Sequence, residues 1–211
     1  MPNLRDSLEA ISWWYHRKEL MRFVNRHSLD LTGFIPREEL STSAKESLAH
    51  SNNYRPYSNH LFKVLIKQAL ATGITFENFV DIGCGKGLPC LFARKYFGFA
   101  KIQGIDFSEP LIDAAKRNVE KLQWKDVSFM VADAAQWKAP EGNTLFFMFN
   151  PFDAVIMDRF LRLNLDHFRR NRSLIAYGYD ECKDTLLGLG FEILYRDAKH
   201  QQSVLKYSGA P

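Results

Sequence analysis

The chain has 211 residues, a formal net charge of +4 and a hydrophobic fraction of 46%. A chain of this length can bury a substantial core without metals or disulfides, and so mild a charge does not by itself indicate nucleic-acid binding. The three cysteines form no C-x-x-C pair, which disfavours a zinc site and indicates a reducing compartment. The longest apolar runs, such as residues 145–149, are too short to span a bilayer, so we expect a cytoplasmic protein without membrane contact.

Residues 1–57 are predicted to form a helical N-terminal extension, followed by one domain over residues 58–211. Apolar residues recur at helical spacing from about residue 4 to residue 25, and residues 28–53 form a looser stretch. The predicted first helix carries an aromatic and basic stripe, namely Trp13, Trp14, Tyr15, Arg17, Arg22 and Arg26. Such a stripe could stack a base or cover a pocket, although aromatic residues at this spacing more often belong to the core. The extension is therefore expected either to recognise substrate or only to pack.

A strand, a Gly-rich turn and a helix are predicted in residues 76–98, after a helix that begins near Ser58. The segment FVDIGCGKG carries an acid and three alternating glycines, Asp81, Gly83, Gly85 and Gly87. Glycine adopts positive φ and lets a ligand approach the backbone, and the next helix directs its free N–H groups toward the turn. The dinucleotide fingerprint G-x-G-x-x-G needs its third glycine where Leu88 stands. A nicotinamide-dependent oxidoreductase is therefore disfavoured.

Three later strands also end in polar residues. The strand at 101–106 ends in Asp106 and Phe107, about 20 residues beyond the turn, where nucleotide-binding α/β units place a ribose-binding carboxylate. The other two strand ends are Asp133-Ala134 and Asn150-Pro151-Phe152. Because open α/β sheets bind ligands outside the carboxyl ends of their strands, these residues are expected to line one site.

The remaining elements continue the alternation of strands and helices. We predict helices at 88–98, 109–122, 133–137, 153–169 and 181–188, a strand at 172–177, and strands at 191–196 and 202–207. Ser108 is a plausible N-cap. The last two strands are joined by only five residues, so they must form an antiparallel hairpin. The predicted fold is a single doubly wound α/β domain with a mostly parallel seven-stranded sheet, helices on both faces and a C-terminal antiparallel hairpin.

Five arginines lie on and just after the helix predicted at 153–169. They are Arg159, Arg162, Arg169, Arg170 and Arg172. A solvated helix face is the favoured interpretation, and a patch that contacts phosphates is the alternative.

The order of these motifs resembles the class I, Rossmann-like, S-adenosylmethionine-dependent methyltransferases, in particular small bacterial members with N-P-F after strand four. The glycine motif matches the family's [DE]-x-G-x-G-x-G. The resemblance implies S-adenosylmethionine as methyl donor, S-adenosylhomocysteine as product, and no metal. It implies that Asp106 holds the donor's ribose and that Asp133 lies near the adenine amine. The full set of cofactor-binding residues that it implies is Asp81, Gly83, Gly85, Gly87, Asp106, Phe107, Asp133, Ala134, Asn150 and Tyr57.

The segment Asn150-Pro151-Phe152 resembles the N-P-P-[YF] motif of amino-group methyltransferases, with one proline in place of two. The resemblance implies that these three residues are catalytic, with the Asn carbonyl accepting a hydrogen bond from the target nitrogen. A weaker resemblance, to the non-SET histone-lysine methyltransferases, rests on Tyr54, Pro56, Tyr57 and Ser58 before a helix. We expect a nitrogen of a protein or small molecule as acceptor. A nucleic-acid amino group, or binding of S-adenosylmethionine without transfer, remains the alternative.

Overall fold

The computed structural model describes the backbone of residues 4–209 and the side chains of residues 14–209, so the side chain of Trp13 lies outside the described part. Its strands are β1 Asn78–Ile82, β2 Lys101–Asp106, β3 Val127–Val131, β4 Thr144–Phe149, β5 Leu174–Gly178, β6 Phe191–Asp197 and β7 Gln202–Tyr207. They form one sheet in the order β3-β2-β1-β4-β5-β7-β6. All neighbours are parallel except β7, which is antiparallel to both β5 and β6. The predicted fold class is confirmed.

The central strands are apolar because both faces of the sheet are covered. Every residue of β1 and β5 is buried. Alternate residues point to opposite faces, so Phe79 and Phe147 enter one hydrophobic cluster while Val80 and Phe146 enter the other. Each large side chain buried this way contributes about 1.5–3 kcal/mol. This packing fixes the strand ends at which the polar residues lie.

Eight α-helices lie within residues 4–209. They are α1 Leu4–His27, α2 Lys45–Ala49, α3 Asn59–Leu70, α4 Leu88–Phe97, α5 Glu109–Leu122, α6 Ala154–Leu163, α7 Leu165–Arg170 and α8 Lys183–Gly188. A 3₁₀-helix spans Arg37–Glu39. The Ser58 hydroxyl accepts a hydrogen bond from Leu61 N–H and caps α3. Ser108 occupies the N-cap position of α5, but its hydroxyl makes no capping bond.

Two helix predictions were wrong in detail. Residues 133–137 form a turn, because Asp133 Oδ1 accepts the N–H of Ala135 and fixes a turn in place of a helix. The helix predicted at 153–169 divides into α6 and α7 at Asn164. The amide of Asn164 donates to the carbonyl of Trp137 and accepts the N–H of Ala139, so it ties this junction to the loop before β4.

The arginine cluster is largely paired within the chain. Arg159 lies 2.7 Å from Glu46, Arg162 lies 2.8 Å from Asp158, and Arg169 lies 3.2 Å from Asp166. These exposed ion pairs support the interpretation of a solvated helix face.

The N-terminal region is helical only in part. Its first helix, α1, packs against α3. Trp14 and Tyr15 are 60% and 59% exposed, so the expectation that they belong to the core was wrong for both. Residues 28–57, which we call the strap, then run across the carboxyl ends of the strands. Thr42 Oγ1 donates to the carbonyl of Phe107 at 2.8 Å.

The strap is fastened to α5 by one buried side chain, Asn118. Its Nδ2 donates to the carbonyls of Asp30 and Lys86 at 2.8 and 3.1 Å, and its Oδ1 accepts the N–H of Asp30 at 2.8 Å. Lys86 Nζ in turn pairs with Asp30. The glycine turn and the start of the strap are thus held by the same amide.

Asn118→Ala is expected to lower the free energy of unfolding by about 1–3 kcal/mol, because two backbone groups of Asp30 and one of Lys86 lose a buried hydrogen-bond partner. Urea unfolding followed by circular dichroism measures this. The exposed neighbour Arg117→Ala is the matched control and should stay within about 0.5 kcal/mol of wild type. Equal stability of the two variants would show that Asn118 does not hold the strap.

Candidate functional site

A cavity of about 320 Å³ lies where the strap crosses the carboxyl edge of the sheet. Its floor is formed by the ends of β1, β2 and β4 and its roof by strap residues, including 52–57. This is the location that an open parallel sheet favours for a ligand, and the size is at the lower end of the range of small-molecule sites.

The cavity collects most of the predicted site residues from distant parts of the sequence. Those that line it are Tyr57, Asp81, Gly83, Asp106, Phe107, Ala134, Asn150, Pro151 and Phe152. Those that do not line it are Gly85, Gly87 and Asp133. The sequence therefore predicted the location of the site. Three of the predicted residues lie next to residues that line the cavity but do not line it themselves.

The glycine turn is packed tightly against two other segments. A Cβ on Gly83 would lie 2.4 Å from Pro151 Cβ, and one on Gly85 would lie 2.2 Å from the ring of Tyr54. Both glycines have positive φ, +74° and +53°. The N–H groups of Gly83 and Cys84 donate to the Ile105 carbonyl, so these two donate within the protein and not into the cavity. Because Gly83 has no side chain, a ligand in the cavity can approach the backbone of the turn closely.

Asp106 lies at the end of β2 with both carboxylate oxygens anchored. Oδ2 accepts the N–H of Gly85 and Oδ1 accepts the N–H of Ser108, each at 2.9 Å. The side chain is 8% exposed and faces the cavity. Burial raises the pKa of Asp106 to about 6, although the two N–H donors act in the opposite direction. Each oxygen keeps a lone pair that could accept a ligand hydroxyl.

Asp81 and its neighbouring thiols form a buried cluster at the base of the glycine turn. Cys90 Sγ lies 3.9 Å from Asp81 Oδ2. Burial raises the pKa of Asp81 and of the Cys84 thiol well above their ordinary values. A thiol that stays protonated is a poor nucleophile, which supports a packing role for Cys84.

Asp133 supports the wall from outside the cavity. Its Oδ1 caps the following turn, and its Oδ2 accepts the hydroxyl of Ser47 in the strap at 2.7 Å. The adjacent residues Ala132 and Ala134 line the cavity. Contact of the Asp133 carboxylate with an adenine amine stays a prediction.

Asn150 ends β4 in the left-handed region, with φ +40°, which Asn tolerates better than most residues. Its Nδ2 donates to Glu181 at 2.9 Å, and its Oδ1 accepts the hydroxyl of Tyr177 at 3.2 Å. That hydroxyl accepts the N–H of Cys182. Because a carboxylate accepts at one end and a hydroxyl donates at the other, the network orients the amide with its oxygen held in place.

The turn of Asn150 is also paired with the strap. Asn52 Nδ2 donates to the Asn150 carbonyl at 2.8 Å, and Ser51 forms an antiparallel bridge with Phe152. Residues 50–52 thus pair with the segment that follows β4. The segment with which they pair lies about a hundred residues later in the chain, and no local sequence pattern predicts this pairing.

Several polar or aromatic residues of the cavity wall were missed by the sequence analysis, among them one charged strap residue and two residues after β5. Arg55 lies in the strap, whereas Tyr179 and Glu181 follow β5. Tyr179 and Glu181 could have been predicted from their position, because the loop after a central parallel strand lies at the ligand-binding edge of the sheet.

The described part of the chain holds neither a cluster of metal ligands nor a helix that could span a membrane. No group of three or more His, Cys, Asp and Glu side chains is arranged there to hold a metal ion. Within the same part of the chain, no helix has the length and apolar character needed to cross a bilayer.

Comparison with known proteins agrees with this geometry. Residues 79–172 match a family model described as a methyltransferase domain. Aklanonic acid methyltransferase DauC of Streptomyces sp. strain C5 is 36% identical over 63 residues, which are 29% of this chain and 28% of DauC. The matched segment therefore spans less than a third of that relative.

Solved structures share the fold at low sequence identity. The [4+2]-cyclase SpnF superposes with a TM-score of 0.53 and 17% identity, covering 65% of this chain and 59% of SpnF. The StiE O-MT segment gives a TM-score of 0.52 and 12% identity, covering 72% of this chain and 75% of that segment. These likenesses confirm the predicted Rossmann-like fold. The predicted methyltransferase class is supported by the family model over residues 79–172.

Asp81→Asn is expected to stabilise the protein relative to wild type increasingly as pH rises from about 4, the ordinary pKa of an aspartate, to about 5. With its pKa raised by burial, Asp81 stays protonated in the folded state after the unfolded chain has lost the proton. Wild-type stability therefore falls through that window, and the neutral amide removes this loss.

Thermal unfolding at both pH values measures the difference. Asp113→Asn is the control, because this carboxylate is exposed on α5 and an exposed substitution should change the free energy of unfolding by no more than about 0.5 kcal/mol. A difference for Asp81→Asn that is independent of pH would contradict the argument.

Proposed function

We propose that this chain, whose residues 79–172 match a methyltransferase domain, transfers the methyl group of S-adenosylmethionine to a nitrogen of a small molecule or protein. The observation that carries this proposal is the arrangement of the cavity. An anchored carboxylate, Asp106, lies at one end, and an oriented amide, Asn150, lies at the end of β4. A donor and an acceptor can therefore meet above the glycine turn.

Asp106 fits the ribose of the donor. Its two oxygens are fixed by backbone N–H groups, and each has a lone pair for one of two neighbouring hydroxyls. Ala132 and Ala134 give a flat, small-residue wall next to it, which suits a purine ring. The close backbone at Gly83 suits the rest of the donor.

The donor, once bound, supplies a sulfonium methyl that is already activated for attack. The residues of the chain then need only to align the acceptor and exclude water. The strap supports exclusion of water, since Asn52 and Tyr54 line the cavity, Asn52 donates to the Asn150 carbonyl, and the Tyr54 ring packs on Gly85. A nucleophilic side chain is not required, in keeping with the buried, protonated Cys84.

Asn150 and Glu181 support a nitrogen acceptor. Both present oxygen acceptors at the same wall, and an amine has N–H groups to donate to them. Orientation by an amide leaves the nitrogen lone pair free for the methyl group. Phe152, which also lines the cavity, supplies an apolar surface beside this position.

The alternatives are a nucleic-acid amino group as acceptor and binding of the donor without transfer. The ion pairs of Arg159, Arg162 and Arg169 leave less basic surface for a phosphate backbone, which favours a protein or small molecule. The three free cysteines are compatible with a reducing compartment, and we propose the cytoplasm.

Asp106→Ala is expected to weaken binding of S-adenosylhomocysteine by about 10- to 150-fold, as a charge-assisted contact to the ribose is lost. Wild-type affinity should also fall as pH drops below about 6, because protonation of Asp106 removes the acceptor. Titration calorimetry at several pH values measures both effects.

Asp113→Ala is the control and should bind as wild type, and NAD should not bind to either protein. Tighter binding of NAD than of S-adenosylhomocysteine would reject the proposed donor. An unchanged dissociation constant for Asp106→Ala would mean that the ribose is held elsewhere.

Asn150→Gly is expected to lower kcat/KM by about 100-fold or more, since misplaced reactants lose rate. Glycine accepts the positive φ of this position, so the variant removes the amide without straining the turn. Affinity for S-adenosylhomocysteine should change by less than about threefold, because the amide is proposed to orient the acceptor and not to hold the donor. A tenfold change would mean that Asn150 contributes about 1.4 kcal/mol to donor binding. Labelled donor and fractionated cell extract, followed by mass analysis of the product, supply the acceptor for this measurement.

Tyr177→Phe is the graded control, because it removes only the hydroxyl that holds the Asn150 oxygen, and its loss of rate should be smaller. If Asn150→Gly loses thermal stability while turnover per folded molecule stays near wild type, Asn150 only shapes the turn.

A further inference from the structure

The cavity wall contains an arginine, Arg55, whose guanidinium packs on aromatic rings and is not paired with a carboxylate of the described part of the chain. The Arg55 guanidinium lies 5.1 Å from the ring centre of Phe149 and 5.2 Å from that of Tyr179. Both distances are within the range of a cation–π contact. Among residues 14–209, no carboxylate forms an ion pair with Arg55, which is exposed at the cavity wall.

The two rings place Arg55 in the acceptor half of the cavity. Phe149 is the last residue of β4, and Tyr179 directly follows β5. In the sheet order, β4 and β5 lie on one side of β1, whereas β2 and β3, with Asp106 and Ala134, lie on the other. The donor's ribose and adenine are proposed to bind beside β2 and β3. Arg55 therefore lies on the side of the cavity that is proposed for the methyl acceptor.

The strap around Arg55 is held in place, which pre-organises the guanidinium for binding an anion. Its neighbours in the strap, Tyr54 and Tyr57, are fixed by packing on Gly85 and by a hydrogen bond to Gln202 at 2.8 Å. The rings leave the guanidinium edge, with its planar set of N–H donors, available for a carboxylate or phosphate. Glu181, of opposite charge, lies in the same wall beside Asn150.

We propose that Arg55 recognises an anionic group on the methyl acceptor, so that the acceptor is a small amine that also bears a carboxylate or phosphate. Its amine faces Asn150 and Glu181, and its anion faces Arg55. This inference rests on the proposed function and names the substrate class of the same site.

The donor also carries a carboxylate, and the first measurement separates the two sources. Calorimetry compares S-adenosylhomocysteine with 5′-methylthioadenosine, which lacks the amino-acid end, on wild type and Arg55→Gln. The proposal expects both ligands to bind the variant within about twofold of wild type, well below the 1.4 kcal/mol of a tenfold change. A loss of tenfold or more for S-adenosylhomocysteine alone would assign Arg55 to the donor and overturn the proposal. Failure of both ligands to bind wild type would instead reject the proposed donor.

The second measurement uses protein saturated with S-adenosylhomocysteine and two matched probes. They are 4-aminobenzoate and its methyl ester, which share a flat amine-bearing ring and differ in charge. Wild type should bind the carboxylate at least tenfold more tightly than the ester, and Arg55→Gln should bind the two equally. Arg55→Lys should keep part of the preference, because it keeps the charge but not the planar donors.

Two results would overturn the proposal. One is no preference for the carboxylate in wild type, including no binding of either probe. The other is a preference that persists in Arg55→Gln. Thermal unfolding of Arg55→Gln shows in parallel that the exposed substitution leaves the fold intact.

Discussion

The contact between the glycine turn and the Asn-Pro turn sets the dimensions of the site. Gly83 and Pro151 are so close that no Cβ fits between them, and neighbouring parallel strands β1 and β4 hold the two turns in register. The ends of β1 and β4, above which the donor methyl group and the acceptor are proposed to meet, therefore lie one strand spacing apart, about 4.8 Å. Transfer of a one-carbon group needs an approach of this order, and the sheet itself provides it.

The strap makes this edge of the sheet into a cavity. It is bound to the loop after β2 through Thr42, to the loop after β3 through Ser47, and to the turn after β4 through Asn52. Each bond uses a polar group at a strand end that would otherwise face solvent. Asp133 illustrates the result, since its carboxylate holds the roof and does not line the cavity. The same segment carries Arg55, so it both covers the cavity and adds charge to it.

The sheet and the floor of the site could be predicted from the sequence because their signals are local. Asp81, Asp106 and Asn150 each stand at the end of a short apolar run, and the topology of parallel strands brings such ends together. The roof could not be predicted in the same way. Residues 28–57 have no periodic pattern, and their partners lie far away in the chain. The break at Asn164 and the turn at Asp133 were missed because side-chain bonds to distant or neighbouring backbone groups override helical spacing.

The bonds that fasten the strap span very large sequence separations, 88 residues for Asp30 with Asn118 and 145 for Tyr57 with Gln202. Closing such loops is entropically unfavourable until the sheet already exists. We therefore expect the roof of the cavity to be the last part of the molecule to form during folding. By the same argument we expect it to open first in the native state, as a local fluctuation that leaves the sheet intact. The chain thus separates a durable floor, which fixes where chemistry takes place, from a less stable cover, through which ligands enter and leave.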